Sequence, residues 1–246
     1  MQILPLRFNR HELHLDLSGA LWFPAERALA VADLHLEKGS SYARHGQMLP
    51  PYDSALTLRR LQSAVTRFRP RTLIALGDSF HDKAAALRLA PADAAVIRNL
   101  SESVDLVWVG GNHDPVPPKH LGGRGAAEIE IGGLLFRHEA TRDYPGQPEL
   151  SGHYHPVASL SVRGVGFRQR CFALGGKRMV LPAFGAYAGG LNVLDAAFMA
   201  LFPGGFEVAA LGKEKLHRFL PERLRPDPQS PTPRSAAPKP GALTSR

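Results

Sequence analysis

An α/β fold is predicted by three observations. Short apolar runs alternate with stretches of helical periodicity through the first half of the chain. Each of three apolar runs there ends in a cluster of glycine and polar side chains. From about residue 127 the texture changes to short β runs separated by glycine turns, which predicts a second sheet packed on the first.

In chain order, Leu13, Leu15 and Leu17 alternate with polar residues, the period of a half-buried strand, and Ser18-Gly19 marks a turn into a strand over 20–23. A continuous apolar strand over 28–32 runs directly into Asp33. Residues 51–68 read as a helix, because Leu58, Leu61, Val65 and Phe68 recur at three- and four-residue spacing until Arg69-Pro70 stops them. A short buried strand over 72–76 ends in Gly77-Asp78. A helix over 91–100, with Pro91 in its first turn, leads to a strand over 105–109. The later β runs cover 127–131, 134–138, 157–162, 178–181 and 206–211.

The 246 residues, 44% hydrophobic and 21% charged, suffice for one domain and a tail. We place the domain over 1–221 and the tail over 222–246. Residues 213–246 hold eight Lys or Arg against three acids, out of a net charge of +8. Seven prolines, from Pro221 to Pro240, leave that end unable to hold a regular helix or central strand, so disorder is expected from about 222. Such a tail reads either as a solubilising extension or as an electrostatic tether for nucleic acid. The first 21 residues contain no long apolar segment, which argues against a secretory signal or membrane span and for the cytoplasm. One cysteine, Cys171, cannot form an internal disulfide and reads as a small packed residue.

The polar clusters carry the chemistry. Asp33 and His35 follow the first buried strand, Asp78 the second, and Gly110-Gly111-Asn112-His113-Asp114 the third; ligands of α/β sheets gather at such carboxyl ends. Further on, His138 ends a β run, and His153 and His155 in Gly152-His153-Tyr154-His155 point to one side of an extended chain. Taken singly, each has a plainer role: Asp33 or Asp78 as a helix cap, His138 as a surface group. Imidazole and carboxylate without thiolate suit Mn, Fe, Zn or Co and do not choose among them.

The ordered set DxH, GD, GNHD, H and GHxH, spanning Asp33 to His155, resembles the calcineurin-like metallophosphoesterases. That resemblance implies a four-layer α/β arrangement, a β-sandwich flanked by α-helices, with two divalent metal ions at its rim. Asp33, His35, Asp78 and His155 would hold the first; Asp78, Asn112, His138 and His153 would hold the second. A paired-ion site activates a bridging water and neutralises phosphoryl charge. By the same resemblance, His113 would serve the leaving oxygen, Asp114 would orient the His113 imidazole, and the glycines would make room for phosphate. His81 and Asp82 read equally as groups orienting a ligand or as turn residues. His45 and His120 have no assigned role. Gly39 and Arg44 follow the first motif and could approach phosphate, although Arg44 reads equally as a surface residue.

Two outer segments, DLHLEKGSSYARHGQMLPPYD and CFALGGKRMVLPAFGAYAGGLNV, resemble a bacterial subfamily, the ligase-associated DNA damage response phosphoesterases. What this implies is a manganese-dependent DNA endonuclease working on DNA, single-stranded in the first instance, beside an ATP-dependent DNA ligase, a helicase and an exonuclease-like protein, with no membrane partner. Arg137, Arg142, Arg163, Arg168, Arg170, Lys177 and Arg178 could flank a groove for the backbone. The alternatives are a phosphodiesterase or phosphatase of nucleotides or other small molecules, and a non-catalytic scaffold that keeps its metals for folding.

Overall fold

The computed structural model describes residues 2–116, 118–141, 143, 146–162 and 164–227. Two sheets stack face to face. The first runs in chain order through β1 (Ile3–Phe8), β2 (His11–Asp16), β3 (Leu21–Phe23), β4 (Ala28–Ala32), β5 (Thr72–Leu76), β6 (Asp105–Val109) and β7 (Arg124–Ala126). Strands β4 to β7 are parallel and the earlier pairings antiparallel. Alternation along β4 explains its unbroken apolar run. Ala28, Ala30 and Ala32 enter the core between the sheets, whereas Leu29 and Val31 face the helices, so neither side can be polar.

The crossovers are helical. Between β4 and β5 lie α1 (Lys38–Arg44) and α2 (Asp53–Phe68); between β5 and β6 lie α3 (Ala85–Arg88) and α4 (Pro91–Ser103). Helix α2 buries Leu58, Leu61 and Ala64, and α4 buries Ile97 and Leu100, against the outer face of the first sheet. In register, Ala32 lies beside Leu76 and Leu76 beside Val109. The three buried strands therefore end level, and the polar residues after them emerge along one edge.

The second sheet contains β8 (Glu128–Ile131), β9 (Leu134–Arg137), β10 (Glu149–Ser151), β11 (Pro156–Val162), β12 (Val165–Gly175), β13 (Arg178–Val180), β14 (Leu191–Asn192), β15 (Glu207–Leu211) and β16 (Leu216–Phe219). Leu134, Phe136, Leu150, Phe172, Met179 and Leu181 meet Leu13, Leu15, Phe23, Ile74 and Leu76 of the first sheet. Its far face is covered by Phe198, Leu201, Phe202 and Phe206, around the single turn α5 (Ala196–Met199). The LPAFG segment ties the sheets together: Ala183 bridges Ala32, and Phe184 donates its N–H to the Ala32 carbonyl.

Several expectations shift. Strand β1 was not expected; Pro5 lies in it, tolerated because β1 is the sheet edge. Helix α1 was also unexpected from a stretch rich in Gly and Ser. The body does not stop at 221: Leu224 is buried, Arg225 bridges Ser159, and Asp227 accepts hydrogen bonds from Ser159 and Asn192. The rest of the basic tail, 228–246, lies outside the described residues. No described helix is long and apolar enough to cross a membrane.

Candidate dinuclear metal centre

The level strand ends build the site from the first sheet, and the turns after β9 and β10 complete it from the second. Two groups of potential ligands form. Asp33, His35 and His155 make one, and Asp78, His138 and His153 make the other, with the donor atoms of each within 4.8 Å of one another. Each joins a carboxylate from the first sheet to imidazole from the second. His35 Nε2 lies 3.1 Å from His155 Nε2, and His138 Nε2 lies 3.2 Å from His153 Nδ1. Carboxylate oxygens stand close by, Asp33 Oδ1 at 3.4 Å from His155 Nε2 and Asp78 Oδ1 at 3.5 Å from His138 Nε2. Donor atoms that share one ion at about 2.1 Å are about 3.0–3.4 Å apart, so both groups suit a coordination shell. Asn112 extends the second group, its amide 3.3 Å from His153 Nδ1; a flip of that amide would present oxygen in place of nitrogen.

Backbone strain marks the same residues. Asp33, His35, Asp78, His153 and His155 all have positive φ, between 42° and 70°. Non-glycine residues seldom adopt that region, and holding one there costs about 1–3 kcal/mol. Five such residues converge because each chain must reverse at the sheet edge within one or two residues while keeping its side chain inward. Hydrogen bonds hold the reversals. His35 and Leu36 donate their N–H groups to the carbonyls of Asp78 and Ser79, and the His153 N–H reaches Asp33 Oδ2 at 3.0 Å.

Burial sets the electrostatics. It pushes the His35 imidazole down to about 2, helped by His155, His113, His81 and Lys38 nearby. The same cause, with His138, lowers His153. Both rings are therefore held neutral, the form that ligates metal. Asp114 moves the other way, its carboxyl raised to about 7 by burial and by the charge of Asp78, against a hydrogen bond from Phe80. Buried atoms here without a hydrogen-bond partner among the described residues include His35 Nδ1, Ser79 Oγ, His81 Nδ1 and Asp114 Oδ1.

The structure corrects two expectations and adds to a third. Asp114 does not orient His113: its Oδ2 accepts the Phe80 N–H, while His113 Nδ1 meets the carbonyl of His81 at 2.8 Å. Sequence could not disclose that role, because every residue offers a carbonyl. Gly111 and Gly152 make room for the ligand residues themselves. A Cβ on Gly111 would fall 2.1 Å from the Asp78 nitrogen, and one on Gly152 2.5 Å from Asp33 Oδ2. The basic residues of the second sheet do not line a groove as a set. Arg178 is buried on Glu149, Arg170 bonds the carbonyls of Ala183 and Gly185, Arg168 pairs with Asp227, Lys177 bonds the Gly146 carbonyl, and Arg137 pairs with Glu128. Arg142 and Arg163 lie outside the described residues.

Other side chains fall into place around the site. His113 is exposed, with Nε2 3.8 Å from Asp78 Oδ2. His81 stacks on His113 at 5.5 Å and meets His35 edge-on at 5.7 Å, whereas Asp82 is held by Arg88. The Gly39 N–H is taken by Asp53, and His45 bonds the carbonyl of Ser41 in its own helix. Cys171 is fully buried and its thiol pushed well up, as befits a packed residue.

The two helix-flanked sheets match a metallophosphoesterase fold, and the paired ligand groups at their edge are consistent with a calcineurin-like metallophosphoesterase. Among solved structures, the chain is similar to Pseudomonas putida nuclease MPE, with a TM-score of 0.68 and 27% identity over 88% of this chain and 100% of that one. Looser similarity links it to Yfce, a phosphoesterase from E. coli, with a TM-score of 0.40 and 14% identity over 78% of this chain and 98% of that one. No protein-family model matches the sequence, and no curated protein does.

Proposed function

We propose that the chain is a dinuclear metal-dependent phosphodiesterase that cuts the backbone of DNA, acting as an endonuclease in bacterial DNA repair. One observation carries the hydrolytic reading: two groups of inward-facing imidazoles and carboxylates lie side by side at one sheet edge, with the exposed imidazole of His113 next to them. In this reading Asp33, His35 and His155 hold one ion, Asn112, His138 and His153 the other, and Asp78 lies between. The ions, manganese by preference, would supply charge neutralisation at the phosphoryl group and a nucleophile at neutral pH.

The chain's own residues do the rest. His113 Nδ1 is committed as donor to the His81 carbonyl, so the exchangeable proton of its imidazolium sits on Nε2, facing the site. From there it can pass to the departing oxygen. Asp78 Oδ1 accepts the His113 backbone N–H at 2.9 Å, which fixes the imidazole relative to the ligands. A nucleic-acid substrate is supported by the similarity to Pseudomonas putida nuclease MPE.

A second reading has an observation in its favour. The cleft of about 690 Å³ beside Asn112 and His138 is walled by Glu128 and Glu139, and its Arg137 is already paired with Glu128. An acidic wall favours a small phosphodiester over a polyanion. Metal-stripped protein reloaded with Mn²⁺ and given closed circular single-stranded DNA decides between them. Linear products from wild type but not from His113→Ala establish endonuclease action; intact circles beside hydrolysis of bis(p-nitrophenyl) phosphate sink it and select the small substrate.

A further inference from the structure

We propose that Lys38 is a phosphate-binding residue for a nucleic-acid strand, taking the backbone phosphate next to the scissile one on the His113 side. The inference rests on the phosphodiesterase reading and adds a second contact point on the substrate.

Its geometry is a row of side chains leading away from the centre. His81 stacks on His113 at 5.5 Å, Tyr42 lies 5.8 Å beyond His81, and the Lys38 ammonium sits 5.6 Å from the Tyr42 ring centroid, over its face. Two rings thus separate Lys38 from His113. On this assignment the scissile phosphate lies at the ligand groups and the following phosphate of the strand lies toward Lys38, whose charge already acts on the His81 and His35 imidazoles. The ammonium is half-buried, and among the described residues no carboxylate lies within 4.0 Å of it. Asp53 is the acid that acts on it from a distance, and Asp53 Oδ2 already accepts the Gly39 N–H at 3.0 Å. A partly desolvated cation without a paired anion beside a phosphoester site is complemented by an anionic ligand.

The backbone that carries Lys38 is fixed on both sides. Glu37 is buried and in the left-handed region, its N–H held by Ser54 Oγ and its carboxylate accepting from the same hydroxyl. Ser40 is bonded to the Glu37 carbonyl and receives Arg88 Nε. A cation on so fixed a backbone presents charge to a ligand with little loss of backbone entropy on binding.

The test compares one phosphate with many. Binding of a fluorescein-labelled oligothymidylate to the Mn²⁺-loaded protein is followed over a salt series for wild type, Lys38→Ala and Lys38→Arg, and each is assayed on bis(p-nitrophenyl) phosphate. Loss of one phosphate contact from a single strand should weaken binding by about tenfold. It should also make the slope of log K against log salt shallower by about 0.7. Lys38→Arg should keep the slope, and Lys38→Ala should lose far less on the small diester than in oligonucleotide binding. An unaltered slope in Lys38→Ala, or an equal loss on the small diester, overturns the proposal. Should wild type hydrolyse no diester yet bind the oligonucleotide with a slope that depends on Lys38, the phosphodiesterase reading falls while the phosphate contact stands.

Discussion

The molecule buries charge in two places, and it treats them oppositely. In the second sheet, Arg178 and Glu149 are fully buried, and the guanidinium is met on every side: Glu149 Oε1 at 2.6 Å, the Leu201 carbonyl at 2.5 Å, the Thr141 carbonyl at 2.7 Å and the Asp143 carbonyl at 2.9 Å. At the metal centre, like faces like. Imidazole nitrogens point at each other, two carboxylates share the space, and five residues are held in strained backbone. A cluster whose donors all meet acceptors is complete as it stands. One whose acceptors converge is completed by a cation, which is how a structural polar core and a functional one differ here.

The contrast is broken most severely by Asp78→Asn. Because the metal centre is incomplete by itself, the metal-free variant should unfold within about 1 kcal/mol of wild type in a denaturant titration. Metal analysis should show fewer than two ions bound, and hydrolysis should vanish. A large loss of stability without metal would instead make Asp78 a structural group. His113→Ala comes next: ion content should be kept while turnover falls about 10²–10⁴-fold, the usual worth of a general acid. Full turnover would remove His113 from the chemistry.

Arg178→Met acts on the other cluster. It leaves Glu149 buried with only the more distant Arg137, at 3.7 Å, so destabilisation of about 3–5 kcal/mol is expected in the same titration. Arg178→Met with Glu149→Leu should recover much of that loss, and failure to recover would show that the carbonyl contacts matter more than the ion pair. The mildest probe is pH. His35 is depressed from 6.5 to about 2 in the folded, metal-free protein, so below pH 6.5 the unfolded chain takes up a proton that the folded one refuses. Stability from this group is full above 6.5 and declines as pH falls toward 2. Thermal melts of metal-free protein should show that acid-side decline, and His35→Asn should flatten it.

Much of the site was legible because ligation demands particular side chains. The seven ligand candidates lie where the motifs place them, and six of them fall into the two groups. Asn112 is an amide beside His153. What failed concerned what sits next to what. Asp114 was adjacent to His113 in the chain, yet in space its carboxylate serves Phe80. Arg178 looked like any basic residue on a strand face, and burial made it an internal cation. Lys38 carried no signal at all beyond its place after the first motif.

By itself the sequence determined the strands at 28–32, 72–76 and 105–109, which recur at those bounds, because a strand covered on both faces must be apolar throughout. It also supplied the carboxylate, amide and imidazole residues that the fold gathers at one edge. The tertiary structure decided how His153 meets Asp33 across 120 residues of chain, which carbonyl holds His113, and which residues turn left-handed at the sheet edge. Periodicity is a local property, read within a few residues. Proximity between the two sheets arises only when their inner faces pack, and no local pattern encodes it.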